Sequence, residues 1–424
     1  MNDVRPVPEL VDRLFREEAG RMIAGLTRVF GPARLELVED VVQEALVRAL
    51  RTWPFDGVPP NPRAWLVHVA RNRALDLLRA DRVADRSAAE VARWADEAVS
   101  VDDADDAIGD DQLRLMILCC HPSIGFDSRV ALTLKTVCGL GVGEIARAFL
   151  VDETAIAQRL VRAKRRIQEE GFALELPCEN ELVARVDALL EVVYLLFTEG
   201  YSARAGDELV RAELVYDATR LITLMASSVV TSSPPVHAVA AIVHFQGARL
   251  AARIGDDGEA LTLAEQDRSR WDRDRLARGW RHFEQSIAGD ELSAYHLEAA
   301  IAAAHASAPT YAATDWRTIL AHYDRLIALQ PSPIRALNRA VVLAKVEGTL
   351  AGLRALATLE HEPALAHYPL FAATRGLLAW SAGDALGATT HFEAALALSC
   401  NAAERRLFEK RILAVRAGES AIPF

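Results

Sequence analysis

The stretch 62–79, PRAWLVHVARNRALDLLR, carries an unusual run of polar side chains. Wound as a helix, it places His68, Asn72, Asp76 and Arg79 on one side with Arg71 beside them, and Leu66, Ala70, Ala74 and Leu77 on the other. Amide, imidazole and guanidinium groups along one helix face suit contact with phosphates and base edges. A second such face lies downstream in ETAIAQRLVRAKRRIQEE. There Ile156, Leu160, Ala163 and Ile167 form a buried stripe and leave Gln158, Arg159, Arg162, Arg165 and Arg166 outside. A solvated helix face is the plain alternative for either stretch, and the presence of both in one chain argues against it.

The elements that must hold these faces are helical. Ala, Leu and Arg dominate, aromatics are few, and no convincing run of alternating β-branched residues occurs, so strands should be scarce. Residues 9–82 form one helical block. A first amphipathic helix starts at Leu10, Leu14 and Phe15 and runs through Met22, Ile23, Leu26 and Phe30. A second covers 35–53, with Val38, Val42, Ala45, Leu46 and Ala49 on its buried side. The segment 54–62 holds four prolines and a glycine and reads as a loop. Pro62 then sits where the first turn of the next helix tolerates it.

In the second block an apolar helix over 130–136 is broken at Gly141-Val142-Gly143. A short helix follows at 144–149, and Asp152 is an N-cap for the long basic helix. That order is a helix-turn-helix pattern, whose last helix reads the major groove.

Net charge is −11, but its distribution matters more. Residues 63–82 hold five arginines against Asp76 and Asp81. Residues 83–111 hold ten acids against Arg86 and Arg93, and residues 147–166 hold six bases against Asp152 and Glu153. Two basic blocks flanking an acidic one give local fields opposed to the global charge. The five cysteines, Cys119, Cys120, Cys138, Cys178 and Cys400, lack metal-ligand spacing and read as buried thiols in a reducing compartment. With no apolar leader and no long apolar span, the expectation is a soluble, cytoplasmic protein with no membrane partner. No P-loop, dinucleotide fingerprint, HExxH or nucleophile elbow appears. We therefore expect no catalytic residue, no metal site, no cofactor and no enzyme.

DVVQEALVRAL at 40–50, PRAWLVHVARNRALDLLR at 62–79 and EIARAFLVDETAIAQRLVRAKRRI at 144–167 occur in that order. Together they resemble the extracytoplasmic-function (ECF) class of RNA polymerase sigma factors, in the sigma-70 superfamily, over residues 9–170. The LCCHP motif at 118–122, the FTEGYSA motif at 197–203 and the long helical tail resemble the subgroup with a C-terminal tetratricopeptide-like extension.

The resemblance implies an all-α fold of two small helical domains that bind DNA and polymerase, followed by a helical-repeat domain. It places a region 2-like domain at 9–82, an acidic linker at 83–111 and a region 4-like helix-turn-helix domain at 112–172. A helical extension follows at 181–290 and tetratricopeptide-like repeats at 291–424. It implies that Asp40, Gln43, Glu44, Val47 and Arg48 dock on the β′ clamp helices of core polymerase, whose β flap is a second contact. The 53–61 loop matches the one that captures a flipped base of the −10 element. Arg63, His68, Arg71, Asn72, Asp76 and Arg79 match the −10 recognition and melting helix. Trp65 falls at a family aromatic position and equally suits the core, while Arg73 points toward the apolar side. Ala155, Ala157, Gln158, Arg159, Arg162 and Arg165 occupy the −35 reading positions. Ala157 departs from relatives that carry a base there, and Arg159 suits either a base edge or a phosphate. The acidic linker either threads toward the polymerase active site or is a plain tether.

The tail carries a repeat of its own. Ile319, Tyr323 and Leu326 precede Pro331, and Ala388, Phe392 and Ala395 repeat those offsets with Gly376 upstream. Tyr323 and Phe392 stand 69 residues apart, close to two periods of about 34. A bundle without repeats is the alternative. Glu191, Glu199, Tyr201, His244 and His282 are polar groups that could line a pocket there, though each suits a structural role. A regulatory protein or ligand on the tail would make it a switch. Two other functions compete: a stand-alone helix-turn-helix regulator with a sensing tail, and an enzyme in residues 185–424.

Overall fold

The computed structural model describes residues 7–82, 105–149, 151–172, 174, 177, 179–203, 205–206 and 208–421. Its helices are grouped in two compact units, residues 1–196 and 197–424. The predicted domains 181–290 and 291–424 thus lie, apart from the first residues of the former, within one compact unit.

In the first unit, α1 (Val7–Phe30) is followed by a 3-10 turn (Pro32–Arg34), α2 (Leu35–Asp56) and α3 (Pro62–Arg82). All five residues expected on the buried side of α2 are buried, together with Leu35, Val41 and Trp53. α2 runs three residues beyond the expected end, carrying Pro54 in its last turn, and stops at Gly57, whose φ of 85° favours glycine. The Asn61 side chain accepts from Ala64 N at 3.0 Å, which caps α3. Leu66, Ala70, Ala74, Leu75 and Leu78 form the buried face of α3, with Leu77 at its margin.

Most of the acidic connector, 83–104, lies outside the described residues. α4 (Asp105–Cys119) begins inside its last part. α5 (Phe126–Thr136), α6 (Val142–Phe149) and α7 (Glu153–Glu170) follow. Both α5 and α6 pack on α7, which buries Ile156, Leu160, Ala163 and Ile167. Asp152 takes the extended N-cap backbone without a side-chain cap bond, and left-handed Gly171 closes the helix. Cys119, Cys120 and Cys138 are buried free thiols, and burial pushes Cys120 up to about 11.

α8 (Glu179–Tyr201) crosses the division between the units. The second unit continues with α9 (Ala212–Ser227), α10 (Pro234–Gly247) and α11 (Arg273–Ser286). Then come α12 (Ala294–Ser307), α13 (Trp316–Leu329), α14 (Pro333–Glu347), α15 (Thr349–Ala357), α16 (Pro369–Ser381), α17 (Ala385–Leu398) and α18 (Ala402–Arg416). From α12 to α18 each helix packs on its neighbours in the chain. Ile319, Leu326, Ala388, Phe392 and Ala395 are all buried, and Gly376 lies where a Cβ would stand 3.1 Å from the Phe392 ring.

The unit closes on itself through a two-residue parallel pair, β1 (Ala205–Gly206) with β2 (Cys400–Asn401). Buried Asn401 donates to the carbonyls of Ala203 (3.0 Å) and Glu208 (2.9 Å) and caps α18. Arg411 pairs with Glu265 at 2.6 Å. Cys400 is exposed and so departs from the reading of all five cysteines as buried: β2 alternates, and Asn401 takes the inward position. Apart from this pair and an isolated bridge between Ile254 and Ala260, the described residues form an all-α fold.

Candidate nucleic-acid interface

The face of α2 opposite its core presents Asp40, Gln43, Glu44, Val47 and Arg48 to solvent, with Leu50 exposed nearby. A mixed polar and apolar exposed surface of this kind suits a protein partner. Partial burial, followed by the neighbouring Glu36, pushes the Asp40 carboxyl above its ordinary value. Glu44 accepts from Arg73 Nε at 2.6 Å. Arg73 is therefore an exposed member of an ion pair between α2 and α3, and that hydrogen bond raises its pKa.

On α3 the structure brings His68, Asn72, Asp76 and Arg79 together on one exposed face, with Arg71 half-buried beside them. The Asn72 amide donates to His68 Nε2 at 2.9 Å, and Arg79 lies 3.5 Å from Asp76. Arg63 does not join this row: it is half-buried and paired with Glu18 of α1 at 3.0 Å. Trp65 packs edge-on against buried Trp53, with ring centroids 5.4 Å apart, which gives it a packing role at the base of the 57–61 loop. Phe55 stands 87% exposed just before that loop, and the proline-rich composition that signals a loop there does not tell which side chain it bares.

On α7, Ala157, Gln158, Arg162, Arg165 and Arg166 are exposed and Ala155 is half-buried. Arg159 is drawn back by Asp127 in the first turn of α5, at 3.3 Å. Arg162 donates to the Gln158 carbonyl, and Arg165 and Arg166 pair with Glu169 and Glu170 one turn on. A cleft of about 570 Å³ runs between the start of α5 and α7, lined by Ser123, Phe126, Asp127, Arg159, Arg162 and Arg166 among others. Basic side chains around a helix start suit a phosphate backbone.

The polar residues noted in the tail separate into two constellations. Tyr201 lies under the Arg253 guanidinium, 3.7 Å from its ring centre, and Arg253 donates to the Tyr201 carbonyl. Glu199 is buried 3.9 Å from Arg211. His244 and His282 stack in parallel, 5.5 Å apart, and His282 meets His237 through their Nδ1 atoms at 3.0 Å. Burial, followed by neighbouring His and Arg charges, lowers His244 and His282 to about 4, which leaves both neutral at pH 7. Glu191 sits on α8, in the first unit.

Residues 14–83, which carry α2 and α3, match the family model described as Sigma-70 region 2. Residues 185–287 match a second model, described as a family of unknown function (DUF6596). An uncharacterized protein of Rhizobium meliloti is 37% identical over 380 residues, 87% of this chain and 88% of its own length, and the chain shares its family. The probable ECF RNA polymerase sigma factor SigI of Mycobacterium tuberculosis is 30% identical over 193 residues, 42% of this chain and 66% of its own length. The ECF RNA polymerase sigma factor SigJ of the same organism is 29% identical over 36% of this chain and 50% of its own length. No solved structure matches. No helix among the described residues is long and apolar enough to cross a membrane.

Proposed function

We propose that this chain is an ECF sigma factor that binds core RNA polymerase, recognises −35 and −10 promoter elements and melts DNA to begin transcription. The observation that carries the reading is the exposed row His68, Asn72, Asp76 and Arg79 on α3, inside the segment that matches Sigma-70 region 2. In this reading Asp40, Gln43, Glu44, Val47 and Arg48 dock on the β′ clamp helices, and the α3 row with Arg71 engages the −10 element. Arg63, paired with Glu18, supports that helix from behind or swings out on binding DNA. Helices α5, α6 and α7 act as a helix-turn-helix, with Gln158 toward base edges and Arg162 and Arg165 toward phosphates. Ala155 and Ala157 keep the surface beside Gln158 close to the groove, and Asp127 orients Arg159. The chain works in the cytoplasm and has no catalytic role of its own.

The second unit is the regulatory part of this proposal. Its serial helix pairs, with Gly376 against Phe392 and the repeated 319/323/326 and 388/392/395 offsets, support a tetratricopeptide-like solenoid, an architecture that presents binding surfaces. Removing it should change promoter-directed transcription or its control.

The docking face separates this reading from that of a stand-alone regulator. Charge reversal of exposed Asp40 and Glu44 (Asp40→Lys with Glu44→Lys) should abolish binding to core polymerase while duplex DNA binding by α7 persists. Undiminished polymerase binding by the variant would overturn the assignment.

A further inference from the structure

In the second unit several arginines are tied to carboxylates: Arg335 to Glu298 at 2.7 Å, Arg339 to Asp324 at 2.5 Å and Arg375 to Glu360 at 3.1 Å. Arg249 and Arg268 differ. Among the described residues neither forms an ion pair, and neutral acceptors hold both. Arg249 Nε donates to the Gln266 side-chain oxygen at 3.2 Å. Arg268 Nη1 donates to the carbonyls of His305 (2.7 Å) and Ala308 (2.6 Å) at the end of α12. Both guanidinium groups lie against the ring of buried Trp271, 5.6 and 4.5 Å from its centre. A guanidinium held by neutral acceptors is fixed in place and keeps its charge for another group.

Aromatic rings and a third cation complete the cluster. The Lys345 ammonium of α14 lies 5.1 Å from the Tyr311 ring centre and 5.9 Å from that of Trp316. Tyr311 and His305 both pack edge-on against Trp316, with centroids 5.2 and 5.4 Å apart. Four buried polar atoms of this group have no hydrogen-bond partner: Arg268 Nε and Nη2, Trp271 Nε1 and His305 Nδ1. Unmatched buried donors are costly, and neighbouring cations without an anion are costlier still. Burial, followed by the charges of Arg249 and Arg268, lowers His305 to about 3, so its ring adds no positive charge at pH 7. The cluster joins two parts of the unit. Arg249, Arg268 and Trp271 lie in the 185–287 segment, and the others come from α12, the approach to α13, its first turn and α14. Ligand sites form preferentially at such junctions.

We propose that this junction binds a small anion carrying a phosphate group, with Arg249 and Lys345 contacting its oxygens and Arg268 adding a buried positive charge. A phosphate fits better than a carboxylate, because clustered cations match a dianion and guanidinium forks match phosphate oxygens. An anion held across the junction ties the two parts together and stabilises the unit by linkage. None of these residues belongs to the faces assigned to DNA or polymerase. That binding alters transcription rests on the reading of this unit as regulatory; the site itself is a property of the free chain.

The test is calorimetric titration of the full chain at pH 7 in phosphate-free buffer, with inorganic phosphate, adenosine monophosphate and acetate as probes. Phosphate and adenosine monophosphate should bind one site per chain, more weakly as salt is added, and acetate should not bind. Tighter binding of adenosine monophosphate would mark a nucleotide as the source of the phosphate, and equal binding free phosphate. Arg249→Gln should weaken binding on the order of tenfold, the loss expected for a charge-assisted hydrogen bond. Lys345→Gln should weaken it in the same direction by less. Both positions are half-buried, and thermal melts check that the variants keep the fold. Arg354→Gln, at an exposed arginine of α15, should bind like the parent. Absence of binding by both phosphate probes would overturn the proposal, as would acetate bound equally well or undiminished binding by Arg249→Gln. Promoter-directed transcription with and without the bound probe then scores the regulatory reading separately. Binding without any effect on transcription would defeat that reading and leave the site.

Discussion

In the first unit Arg79, Arg162 and Arg165 stand on exposed helix faces and, among the described residues, are held only by groups one turn away. In the second unit Arg411 and Asn401 are buried and bonded to groups far along the chain, and Arg253 is stacked on Tyr201. A polar side chain whose bonds are only local contributes little to architecture and stays available to an outside partner. One that joins the first and last segments of a unit is committed to holding it together. The contrast separates reading surfaces from framework more clearly than charge or composition does.

The sharpest way to break the contrast is at Arg411. Arg411→Met leaves the Glu265 carboxylate without its main charged partner and should destabilise the second unit by about 3 kcal/mol. The midpoint of its denaturant unfolding should fall accordingly, while that of the first unit stays put. A loss no larger than that of a surface pair would place Arg411 with the exposed group.

The histidine stack makes the same point through pH. His244 and His282 have folded pKa values of about 4, below their unfolded values. The unfolded chain therefore binds more protons between pH 6.5 and 4, and stability present above that window is lost as pH falls through it. For buried His244 alone the loss is up to about 3 kcal/mol. Thermal melts across the window should show it, and His244→Phe should flatten the profile. A profile already flat in the parent would contradict the depressed values.

Exposed residues should behave in the opposite way. Asn72→Ala should leave thermal stability within about 0.5 kcal/mol. Open-complex formation should fall on the order of tenfold, since a lost base contact costs about 1–3 kcal/mol. A comparable loss of stability would mean that Asn72 serves the fold. The smallest effect belongs to Arg165→Ala. It should weaken DNA binding evenly across sequences and reduce the salt slope by about one, as a phosphate contact does. A change in base preference at the −35 element would reassign it to base reading.

Helical periodicity was enough to read the α7 stripe and most of the buried sides of α2 and α3 from sequence, because the core selects one face every turn. Leu75 and Leu78 were missed on α3, where the buried face is wider than a single stripe and Leu77 lies at its edge. The three motifs in order were legible because each combines a periodic core with polar residues that the core does not need. Long-range partners were not. Nothing local in the sequence announces that Glu39 meets residues 97 and 125 positions away, or that Asp127 draws back Arg159. Nor could periodicity show Arg63 folded against Glu18 instead of standing in the exposed row. The join of FTEGYSA to the end of the chain depends on β1–β2 pairing and on Asn401, which are properties of closure and not of any window of sequence.

Transcription in vitro measures the central claim most directly. Core polymerase is supplied with the full-length chain and a library of duplex promoters, and the 5′ ends of the products are mapped. The account predicts initiation that depends on the added chain, at sites preceded by shared −10 and −35 elements, and its loss when Asp40 and Glu44 are reversed in charge. Polymerase that starts at the same sites with or without the chain would contradict it.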